Sequence, residues 1–144
     1  KNDVFNFIIE SIGVYTNSKI IKIACNIIKQ KLQSIILKTQ QQNIEIKESL
    51  TIDKAFDIIL ENEGYTIGKI IEFLIFRDLF QKQNERRVNM VGFHKEHPTF
   101  DNGILRIVFT KIEDYNNSNE VIVEVLKNGV KEMEKLKDNF ISSL

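Results

Sequence analysis

Hydrophobic and polar positions in this 144-residue chain alternate between two periods, one of two residues and one of three to four. Residues 4–13, VFNFIIESIG, set Phe5, Phe7 and Ile9 against Asn6, Ile8 and Glu10, the pattern of a strand, and Gly13 closes the run. The segment TNSKIIKIACNIIKQKLQSIILK offers Asn17 or Ser18 as an N-cap and then places Ile21, Cys25, Ile28, Leu32 and Ile35 at steps of four and three. A long helix with a narrow apolar seam is predicted. Residues 39–54, TQQQNIEIKESLTIDK, are polar and glutamine-rich with a brief Ile44/Ile46 alternation, so they read as a linker with at most a short edge strand.

Past that boundary, AFDIILENEG (55–64) puts Phe56, Ile58 and Leu60 on one face and Asp57, Ile59 and Glu61 on the other, a second strand. TIGKIIEFLIFRDLF (66–80) returns to helical spacing through Ile67, Ile70, Ile71, Leu74 and Ile75. RVNMVGF (87–93) and GILRIVFTKI (103–112) read as two more strands, joined by HKEHPTFDN, whose Pro98 and Asp-Asn-Gly mark a hairpin-like connection. From about Asn119 to the end, Ile122, Leu126, Gly129, Met133, Leu136 and Phe140 recur at steps of four and three, the cleanest seam in the chain. The class this implies is α+β.

The two ends repeat each other. Tyr15-Thr-Asn-Ser18 matches Tyr115-Asn-Asn-Ser118, and one residue later the seams coincide, Ile21 with Ile122, Cys25 with Leu126, Ile28 with Gly129, Leu32 with Met133 and Ile35 with Leu136. Either chance supplies the match, since apolar heptads are common, or two like units lie in one chain as an intramolecular pseudo-dimer. In the second case the long helices pack on each other, and Gly129 opposite an isoleucine lets their backbones approach.

Totals narrow the functional classes. A chain of this length with 42% apolar residues fills one core, or two sub-domains sharing one. Twenty basic and twenty acidic residues cancel, which removes the electrostatic signature of a nucleic-acid, membrane-surface or acidic-substrate binder. Cys25 is the only thiol, so no internal disulfide forms, in keeping with a reducing compartment. No apolar run approaches the roughly 20 residues of a membrane span, and the opening Lys-Asn-Asp-Val is not a signal peptide. These features predict a soluble cytoplasmic or nuclear protein, not a secreted one, and an opening that continues a longer chain.

Candidate chemistry is sparse. Gly64 and Gly68 fit neither G-x-x-x-x-G-K-[ST] nor G-x-G-x-x-G, because Ile70 follows Lys69. Gly64 instead suits the turn after a strand, Thr66 an N-cap, and Gly68 a close approach of another backbone to the helix. His94-x-x-His97 lacks further ligands, so no metal is expected and His97-Pro98 is assigned to the turn. Cys25 lies in the seam, without a nearby histidine to activate it. Carboxylate pairs Glu61/Glu63 and Glu132/Glu134 and the basic run Arg86-Arg87 read as solvated. The expectation is no catalytic residue, no cofactor and no metal.

Three segments resemble a family. FNFIIESIG before a long helix looks like the closing segment of the third subunit of eukaryotic RNA polymerase II and of the archaeal D subunit. ENEGYTIGKII is similar to the Asp-His-Thr-Leu-Gly-Asn-Leu-Leu signature of the eleventh subunit, the archaeal L subunit and the bacterial α N-terminal domain. VGFHKEHPTFDNGILRIVF resembles that family's Gly-Tyr-x-x-x-His-Pro…Leu-Arg-Ile segment, matching His97, Pro98 and Arg106. The motifs occur in family order. With their helices they cover nearly the whole chain.

The resemblance implies a pseudo-dimeric polymerase dimerisation fold, antiparallel strands with long helices packed across two halves. Residues 1–38 would close a third-subunit-like half, 39–54 link, and 55–144 form an eleventh-subunit-like dimerisation domain. The implied role is a non-catalytic assembly subunit of a DNA-directed RNA polymerase that scaffolds the second-largest subunit, with no direct sequence-specific nucleic-acid contact and no membrane. A fusion of this kind, with this isoleucine-, asparagine- and lysine-rich composition, looks like the transcription machinery of a large DNA virus, in a viral factory, virion or nucleus. Tyr65, Lys69 and Glu72 depart from the family's histidine, asparagine and arginine, so a subunit contact made through that arginine must be rebuilt. The alternative is a self-standing α+β interaction domain that homodimerises through its helices.

Overall fold

The computed structural model describes residues 6–81 and 85–142. Two long helices, α1 (Asn17–Gln40) and α4 (Ser118–Ser142), lie against a sheet of four antiparallel strands. The strands are β1 (Glu45–Glu48), β2 (Ala55–Leu60), β3 (Val88–His94) and β4 (Gly103–Phe109), in the order β1-β2-β4-β3. Helix α2 (Tyr65–Ile75) runs into a five-residue π-helical turn, Phe76–Phe80, and a short helix α3 (Ile112–Asn116) precedes α4. The α+β class holds, and no helix among the described residues is long and apolar enough to cross a membrane.

Register builds the core. Pairing Phe56 with Ile107 and Ile58 with Leu105 puts these four side chains on one face, where α1, α2 and α4 cover them. Asp57 and Arg106, opposite each other on the other face, close two hydrogen bonds of 2.7 Å. A bulge between Val88 and Met90 lets Val88 and Phe93, an odd number of residues apart, both reach the core. β1 is the short edge strand foreseen at Ile44 and Ile46, and it ties the presumed linker into the sheet.

Several expected elements are corrected. Residues 6–13 form no strand: Phe7 is 82% exposed and Ile8 88%, and neither sheet edge pairs with them. The alternation is there, but ladder hydrogen bonds need a partner strand. The segment turns on local bonds instead: Gly13 has φ +94°, its N–H donates to Ser11 Oγ, and Asn17 Nδ2 donates to the Ile9 carbonyl at 2.9 Å. Thr16, not Asn17 or Ser18, caps α1, because it has the extended backbone an N-cap requires and its hydroxyl accepts from Lys19 N–H. The strand expected to reach residue 112 stops at Phe109, and α3 takes over at Ile112.

Candidate functional site

The two long helices are antiparallel. Lys29 of α1 pairs with Glu134 of α4, while Thr39 lines the same groove as Val123 and Glu124. At that end the seam is closed: Leu32, Ile35 and Ile36 of α1 and Val121, Ile122, Val125 and Leu126 of α4 are buried, with Ile28 and Met133 packed against them. The structure therefore brings together Ile28, Leu32, Ile35, Ile122, Leu126 and Met133 of the predicted seam. At the other end Ile21 and Cys25 are only half-buried, and Leu136 and Phe140 are 43% and 45% exposed. These last two were expected inside. The reason is reach: α4, at 25 residues, is about 38 Å long, and its core-packed positions run only from Val121 to Met133.

Gly129 is buried as expected, but against a different neighbour. A Cβ there would collide with Leu74 of α2, so the missing side chain admits α2 rather than α1. Next to it, Arg77 in the π-helical turn donates to Glu132 at 2.6 Å and to Asp78 at 2.8 Å, hydrogen bonds that push its pKa further above the ordinary arginine value. Glu134, by contrast, is held below its ordinary 4.5 by the Lys29 ammonium.

Tyr65, Lys69 and Glu72 meet around Phe93. Tyr65 sits edge-on to the Phe93 ring at 5.4 Å. Glu72 accepts the Phe93 backbone N–H at 2.7 Å and, through the same oxygen, the Lys69 ammonium at 2.7 Å. Gly68 and Gly103 leave the space the ring occupies, since a Cβ on either would overlap it. Gly68 thus does allow a close approach, of a phenylalanine ring rather than a backbone. Glu72 thus reaches the outer edge of β3 and satisfies an N–H there that no strand pairs.

The remaining site residues fall out plainly. Gly64 is the N-cap of α2 with an ordinary φ of −95°, and Thr66 lies inside the helix, because the Gly68 N–H to Gly64 C=O bond already closes the first turn. His97 is exposed, bonds Thr99 through Nδ1, and closes a turn over Pro98 by accepting the Phe100 N–H at 3.1 Å. Arg106 is the cross-strand partner of Asp57, which raises its pKa. Phe7, Glu10 and Gly13 lie on the exposed segment before α1, and Phe5 falls outside the described residues. Among the described residues no three His, Cys, Asp or Glu cluster as a metal site. A groove of about 650 Å³ between the end of α1 and the start of α4 is open and lined by Gln40, Asn116, Asn119 and Glu124 among others.

Sequence reasoning missed the Phe93 socket and the inter-helix ion pairs. A signal for the second existed: α1 carries Lys19, Lys22, Lys29, Lys31 and Lys38 and no Asp or Glu. No protein-family model and no curated protein matches the chain.

Proposed function

We propose that this chain is a non-catalytic assembly subunit of a multisubunit DNA-directed RNA polymerase, joining third- and eleventh-subunit-like halves. The observation that carries the reading is the packing of α1, from the first half, antiparallel to α4 across the sheet of the second. Two surfaces suit assembly. One is the exposed apolar end of the helix pair, Ile23, Ile27, Leu136 and Phe140, continuous in sequence with the exposed segment at Phe7, Ile8 and Ile12. The other is α2, where Phe73 is 59% exposed and Arg77 lies over its ring. Because Glu72 is committed to Phe93, the contact to the second-largest subunit is rebuilt on Phe73 and its neighbours.

The composition that suggests a large DNA virus, and a viral factory, virion or nucleus as its site of action, belongs to the same proposal. Purification through a tag on this chain, from the organism that expresses it, tests it. Recovery of the two largest polymerase subunits in stoichiometric amounts is the expected result. A lone symmetric dimer overturns it and favours the second reading, a self-standing interaction domain, which draws on the same exposed apolar helix end.

A further inference from the structure

Among the described residues α1 makes three ion pairs with the rest of the chain, and all have one polarity. Lys29 pairs with Glu134 on α4, Lys31 with Glu63 at 2.8 Å, and Lys38 with Glu61 at 3.1 Å, the last two carboxylates lying in the loop between β2 and α2. The neighbouring Glu132 is taken by Arg77, so these two α4 carboxylates go one to α1 and one to the π-helical turn. With five lysines and no carboxylate, α1 has no opposite charge to offer a second α1.

We propose that residues 55–142 form a charge-keyed receptor for a lysine-rich, carboxylate-free amphipathic helix, that α1 is its occupant, and that this keying makes the pairing heterotypic. Apolar seams alone do not discriminate. Leu32 and Ile35 would pack against another α1 as readily as against α4. Each exposed ion pair adds little to stability, but the wrong pairing faces uncompensated like charge along its length, and discrimination lies in that difference. The inference concerns how the two halves recognise each other and stands independently of the polymerase reading.

The test uses the full chain with a protease site inserted between Gln42 and Asn43, beside the left-handed residue Gln42 at φ +53°. After cleavage, retention of the α1 fragment is measured in three forms: the native sequence; Lys29→Glu, Lys31→Glu and Lys38→Glu together; and those three combined with Glu61→Lys, Glu63→Lys and Glu134→Lys. The reversed form should dissociate about tenfold or more readily at low salt, and the doubly reversed form should recover to within about threefold of native. Added salt should weaken the native pairing and strengthen the reversed one.

Equal retention in native and reversed forms, or no recovery on double reversal, overturns the proposal. Should the reversed chain fail to fold before cleavage, peptides spanning residues 17–40 decide the matter. The cleaved native body must prefer the lysine peptide to its glutamate counterpart, and the doubly reversed body must show the opposite preference. Absence of that inversion overturns the proposal equally.

Discussion

One helix pair has two ends with the same apolar spacing and opposite fates. Near the start of α4 the side chains of Leu32, Ile122 and Leu126 are sealed between helices and sheet, at 0–2% exposure. Toward its end Leu136 and Phe140 continue the identical heptad at 43% and 45% exposure, across from the amino-terminal half of α1. Spacing dictates which side of a helix is apolar. What lies beneath that side depends on where the sheet and α2 stop. The first end is enclosed and the second is half-exposed, although a residue pattern alone cannot tell them apart.

The sharpest way to break this comparison is to truncate matched leucines. Leu32→Ala should cost about 2 to 5 kcal/mol of stability, because it empties a fully enclosed site, whereas Leu136→Ala should cost less than about 1 kcal/mol in the isolated chain. Denaturant unfolding of the two variants measures both. Similar losses would mean the two ends are equally buried. In the polymerase reading Leu136→Asp, stable alone, should nevertheless abolish recovery of the large subunits, and that dissociation of stability from assembly is what a partner surface predicts.

A smaller effect separates the two glycines of the 64–72 segment. Gly68→Ala gains helix propensity but drives a methyl into the Phe93 ring, with a net loss of about 1 to 2 kcal/mol. Gly64→Ala meets nothing within 4 Å at an ordinary φ and should be neutral or stabilising by a few tenths of a kcal/mol. Thermal melting of both checks the assignment, and an unaffected Gly68→Ala would remove the socket.

The smallest expected effect is on pH. Glu134 is held below its ordinary 4.5 in the folded chain, so the contribution of its pair with Lys29 is full above that value and fades as acid takes the pH down through the lowered one. Because the carboxylate is exposed, the change should be slight. Comparing native protein with Glu134→Gln between pH 6 and about pH 3 should show the native form losing the larger share of its stability, and parallel curves would leave the pair without a role.

Much of this fold is legible in the residues. The periods of two and four located β2, β3, β4, α1, α2 and α4, the brief Ile44/Ile46 alternation anticipated β1, and the paired Tyr-x-Asn-Ser stretches run into the starts of both long helices. Where the reading went astray, a non-local partner was missing from it. Phe7 and Ile9 alternate as a strand does, but no edge receives them. Heptad counting selected Ile122 and Leu126 and passed over Val121 and Val125, which are buried because α4 is covered on more than one side at its start.

Local chemistry, then, is what sequence by itself determined: which stretches favour helix or strand, which faces are apolar, and that α1 carries only positive charge. These follow from short-range sterics and periodicity, which each segment carries with it. Only the tertiary structure decided that Gly129 faces Leu74, that Glu72 turns inward to the Phe93 N–H, and that one end of the helix pair is sealed while the other stays open. Those outcomes depend on which surfaces meet, and contacts between residues far apart in the chain are set by packing and desolvation of the whole rather than by any one segment.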